Sequence, residues 1–101
     1  MDILRPTDLL DLPWPARCRA TLDLFELRQF QASKAGKPRP TVKDLTLEIR
    51  ESDSGSAQSA TRVDLLLAPH LDDIEVARCA SAAEAFQVLK LREAQKKEAV
   101  K

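Results

Sequence analysis

Apolar residues in this chain recur every three or four positions, and short polar or proline-bearing stretches cut the recurrence into segments. Trp14, Cys18, Leu22, Phe25 and Gln29 share one helical face, apolar as far as Phe25. They predict a first helix opening near Pro15, where a missing N–H costs nothing. Gly36 offers its C-cap, and Pro38 and Pro40 prevent continuation. Thr41, with Asp44 three residues on, predicts the start of a second helix. Leu45, Ile49 and Val42 are its inner face, and residues 52–55 end it, with Gly55 free to take a positive φ.

A third helix is expected from near Ser56 to Ala68, with Val63, Leu66 and Leu67 inward and Pro69 as its stop. A short fourth helix over residues 71–78 would bury Leu71, Ile74 and Ala77 or Cys79, with Asp72 and Asp73 in its first turn. Ser81 and Glu84 form a capping box ahead of a fifth helix that packs through Ala85, Phe86 and Leu89.

The expected fold is therefore all-α, a small helix-turn-helix-like bundle of four to five helices. Residues 1–12 form an extended N-terminal arm, 13–91 the domain, and 92–101 a charged helical tail that frays. One alternative stays open. Residues 45–49 and 63–65 also alternate like strands across a Gly/Ser-bearing loop, which is the pattern of a β-hairpin, and 74–76 alternate as well. Three helix-start signals and few β-branched residues favour the helices.

Length sets the scale. A chain of 101 residues with 44% apolar content is one domain with a modest core. It buries only about 60–70% of its unfolded surface, so a partner chain or homo-oligomer is expected to support it. No apolar run approaches the ~20 residues of a membrane span, and no signal-peptide pattern is present. Cys18 and Cys79 fall at apolar-facing helical positions and read as buried free thiols, which suits a cytoplasmic setting. A disulfide between them stays open from sequence.

Formal charge is zero, with 32% charged residues, so bulk charge attracts no nucleic acid. The charge is unevenly spread, however. Residues 28–43 carry Arg28, Lys34, Lys37, Arg39 and Lys43 and no acid. Residues 44–75 carry eight acids against Arg50 and Arg62. Such asymmetry can orient a chain on a partner, although solvated helix faces produce it too.

Catalytic chemistry is not expected. His70 is the single histidine and follows Pro69 at a helix junction. Asp72, Asp73 and Glu75 suit a helix N-terminus without a metal. Gly36 and Gly55 are the only glycines, so no glycine-rich phosphate loop exists. No enzyme activity, metal or cofactor is expected.

Binding to DNA is the leading expectation. In a helix-turn-helix unit the N-terminal residues of the second helix meet base edges, and the first helix crosses the backbone. Here the reading residues would be Gln58, Ser59, Thr61 and Arg62. Gln pairs with adenine, Arg with guanine, and hydroxyls with phosphates. Lys34, Lys37, Arg39 and Lys43 would hold phosphates beside the second helix, with strong salt dependence. Glu51, Asp53 and Asp64 are placed close enough to oppose them.

The TVKDL opening, SAQSATR running into VDLLLAPHL, the short DDIEVAR and the following SAAEAFQVLK carry a family resemblance. From Thr41 to Lys90 the chain resembles the helix-turn-helix core of ParB/KorB-type partition and regulatory proteins, in the shortened form carried by phages and plasmids. That resemblance implies that Ser59, Thr61 and Arg62 face the major groove. The GERR-type nucleotide-binding segment is absent, so CTP binding is not implied. Together these readings point to a small DNA-binding regulatory or accessory protein. The alternative is a non-enzymatic protein-interaction module, an adaptor, assembly component or inhibitor that binds through the N-terminal arm and helical faces.

Overall fold

A computed structural model describes residues 6–99, which contain helices and no strand. The helices are α1 (Trp14–Ala35), α2 (Val42–Arg50), α3 (Gly55–Leu67), α4 (Ile74–Ala77) and α5 (Ala82–Ala99). A 3-10 turn, Pro6–Asp11, precedes α1, and a second, Ala68–His70, follows α3. The all-α expectation holds and the hairpin does not form. A strand over 45–49 would place Leu45, Leu47 and Ile49 on one face. The helix separates them, burying Leu45 and Ile49 and leaving Leu47 exposed.

The ends form where the side chains dictate. Thr41 caps α2 with a complete capping box: its hydroxyl accepts from Asp44 N–H, and the Asp44 carboxylate accepts from Thr41 N–H at 2.9 Å. Ser54 caps α3 by accepting from Ala57 N–H at 3.2 Å, so α3 opens at Gly55, a residue earlier than expected. Gly36 ends α1 in the left-handed region at φ 69°. Gly55 does not use its conformational freedom. The left-handed residue of the α2–α3 turn is Glu51, at φ 56°.

Two apolar clusters draw residues from both α1 and α3. Cys18, Leu67, Ala68, Val76, Ala82 and Ala85 form the larger, joined by Trp14, whose indole N–H donates to the Cys79 carbonyl at 3.0 Å. Leu9, Leu45 and Ile49 form the smaller. The expected extended arm is thus partly wrong. Residues 6–11 coil into a 3-10 turn because Leu9 docks beside α2, which ties this segment to the chain's own core. Residues 1–5, including Ile3 and Leu4, lie outside the described residues.

Two inner faces differ from expectation. On α3, Thr61, Asp64 and Leu67 are buried, Val63 is half-buried, and Leu66 is exposed. On α4, which is shorter than residues 71–78, Val76 is buried and Ile74 exposed. The charged tail is also less separate than its composition suggests. Helix α5 continues to Ala99, and Arg92 donates to Asp73 and Glu75, clasping α5 to α4.

Candidate nucleic-acid interface

Helices α2 and α3 are joined by residues 51–54, a four-residue turn. That falls within the three to four residues typical of helix-turn-helix units. The pair is held by charge as well as by apolar contact. Asp64 of α3 is 2% exposed, and two arginines converge on it. Arg17 of α1 donates through Nε to Oδ2 at 3.0 Å and through Nη2 to Oδ1 at 3.1 Å. Arg50, the last residue of α2, donates through Nη2 to Oδ2 at 3.1 Å and through Nε to the Thr61 hydroxyl at 3.2 Å. Thr61 in turn donates to the Ala57 carbonyl at 3.1 Å. One carboxylate therefore ties three helices together.

Cys18 completes this seam, its thiol donating to Asp64 Oδ1 at 3.5 Å. Burial, aided by the adjacent Asp64 charge, pushes the Cys18 thiol up to about 12. Cys79 is half-buried and donates to the Glu75 carbonyl; burial raises its pKa too. Both cysteines are free.

The expected DNA-contacting residues separate into three groups. Ser59 and Arg62 are exposed on α3, as is Ser56 one turn earlier. Arg62 has no carboxylate partner among the described residues, unlike Arg17, Arg28, Arg50 and Arg92. Thr61 departs from expectation: it is 1% exposed, with its hydroxyl engaged by Arg50 and Ala57, so it cannot reach a groove. Gln58 donates to the Asp53 carbonyl at 2.8 Å and braces the turn.

The basic residues are likewise divided. Lys43 lies 3.8 Å from Asp53, which places it with Gln58 beside the turn. Lys37 and Arg39 are exposed in the linker, and Lys37 borders a cleft of about 420 Å³ between α1 and α2. Lys34 sits instead on α1, 5.4 Å over the Phe30 ring.

Two of the three opposing acids are engaged, and Glu51 stays exposed in the turn. Asp53 is engaged with Lys43, and Asp64 is withdrawn from the surface altogether. Sequence reasoning missed Asp64 as the organising residue. It is flanked by Val63 and Leu65, and its partners lie 47 and 14 positions away.

No family model matches the chain, no curated protein matches it, and no solved structure matches it. No helix among the described residues is long and apolar enough to cross a membrane, and none of their His, Cys, Asp and Glu side chains cluster as a metal site would require.

Proposed function

We propose that the chain is a small DNA-binding regulatory or accessory protein that uses α2 and α3 as a helix-turn-helix-like unit, as the ParB/KorB-like pattern suggests. The observation that carries this reading is the four-residue turn between two capped helices, with Ser56, Ser59 and Arg62 exposed on the open face of α3. Arg62 supplies a bidentate donor for a guanine edge. Lys43 beside the turn, and Lys37 and Arg39 in the linker ahead of α2, supply phosphate contacts. Thr61 positions Arg50 and makes no contact itself. Binding would be weak from a single copy, so a dimer or a larger complex is part of the reading.

The test is a mobility-shift titration of the full chain against mixed duplexes at two salt concentrations. Binding should weaken steeply with salt, and Arg62→Ala and a Lys37→Ala/Arg39→Ala double variant should each lose it while remaining helical. Absence of binding at low salt would exclude the proposal.

A second reading, a protein-interaction module, is supported by a different surface. Leu66 is 55% exposed and borders a cleft of about 350 Å³ with His70, Phe86 and Leu89. Leu66→Glu would then break a protein complex and leave DNA binding unchanged.

A further inference from the structure

Beside the Asp64 seam a cavity of about 370 Å³ opens between α1, α2, α3 and α5. That is large enough for a small ligand. Arg17, Arg50 and Asp64 make its charged wall, and Ala60, Ala83 and Phe86 contribute to its apolar one. Two guanidinium groups bring two positive charges and Asp64 returns one. Among the described residues no other carboxylate lines the space, so the cavity carries an uncompensated positive charge.

The donor count agrees with the charge count. Asp64 is already covered: Oδ1 accepts from Arg17 and Cys18, and Oδ2 from Arg17 and Arg50. Each guanidinium has five N–H donors. Among the described residues Arg17 and Arg50 each donate only through Nε and Nη2, which leaves both Nη1 amino groups without a protein acceptor. The two side chains are 23% and 20% exposed and neither Nη1 group is buried, so these free donors stay open to a ligand in the cavity. Two arginines on one carboxylate, next to a cavity with small apolar walls, form a half-filled anion site.

We propose that this cavity binds a small organic anion. Its carboxylate or phosphate head would accept from the free guanidinium donors of Arg17 and Arg50, and its compact apolar body would lie against Ala83 and Phe86. The planar guanidinium fork suits either head group. This inference does not depend on whether the chain binds DNA.

The test titrates the full chain with benzoate and with phenyl phosphate at ionic strength fixed by sodium chloride, following amide resonances. Gln87→Glu places a like charge on the cavity wall, and Ala83→Leu fills it. Both positions are exposed on α5, and neither is among the hydrogen-bond partners of the Arg17–Asp64–Arg50 cluster. At least one probe should give saturable shifts at residues 17, 50 and 82–87. Gln87→Glu, by like-charge repulsion, and Ala83→Leu, by filling the space, should each weaken it by about tenfold or more. Their circular dichroism and chloride-only melting should match the parent chain.

The proposal is overturned if neither probe saturates, if sodium chloride alone produces the same shifts, or if either folded variant binds undiminished. Shifts at these residues from a short duplex, with none from either probe, would overturn it in favour of backbone phosphate.

Discussion

Two arginine–carboxylate clusters hold this molecule together, and they differ in kind. Arg17, Asp64 and Arg50 meet on a carboxylate that is almost wholly buried and join α1, α2 and α3. Arg92, Asp73 and Glu75 meet at the surface and clasp α5 to α4, with Glu75 71% exposed. The pairing chemistry is the same, yet water competes for the second cluster and scarcely for the first. A pair at the surface can be lost at small cost. A buried carboxylate cannot be left with its charge unanswered, nor its arginines without their acceptor.

Asp64→Asn is the strongest way to break this contrast. It strands two largely buried guanidinium groups and should cost about 3 kcal/mol. Urea unfolding would show the midpoint falling, and a loss of only a few tenths would mean that the seam is no more than a surface pair.

The alkaline limb comes next. The folded Cys18 thiol is held near 12 against an ordinary value of 9.0, so its contribution is fully present below pH 9 and is lost as pH rises through 12. Raising the pH to 10 should cost about 1 kcal/mol through this group, and Cys18→Ala should remove that slope. At neutral pH Cys79 should react with a thiol reagent before Cys18, and the reverse order would show that the seam opens readily. Ser54→Ala deletes the α3 cap and should cost about 1 kcal/mol by the same unfolding measurement.

The smallest effect belongs to the surface clasp. The hydrogen bond from Arg92 holds the Asp73 carboxyl down at about 2, below its ordinary 3.8. Its contribution is present above pH 4 and fades as pH falls towards 2. Arg92→Ala should flatten this part of the acid limb and lower the melting temperature less than Asp64→Asn does. An equal drop would erase the distinction between the clusters.

Helix positions were legible because local signals set them. Thr41 and Ser81 announce helix starts, Pro69 a stop, and Gly36 a left-handed cap, and each signal involves neighbours a few residues apart. Glu84 is a partial case: Ser81 accepts from its N–H, but its own carboxylate reaches back to Ala80 N–H.

Inner faces were less legible because they depend on distant partners. Apolar periodicity favoured Val63, Leu66 and Leu67 on α3, but Asp64 and Thr61 turn inward because Arg17 and Arg50 wait there. That choice rotates Leu66 outward to 55% exposure. It also removes Thr61 from the candidate DNA surface, and no local pattern could have shown this. Ser59 and Arg62 remain available because they sit on the opposite side of the same helix.

Trp14 gives the molecule an optical handle. It is the only tryptophan, and the chain has no tyrosine, so near-ultraviolet emission reports almost entirely on one ring. That ring is anchored through its indole N–H to the backbone of Cys79, 65 positions along the chain. Its emission colour and lifetime therefore register whether the start of α1 is docked on the segment between α4 and α5, and fluorescence can follow that long-range closure without an added label.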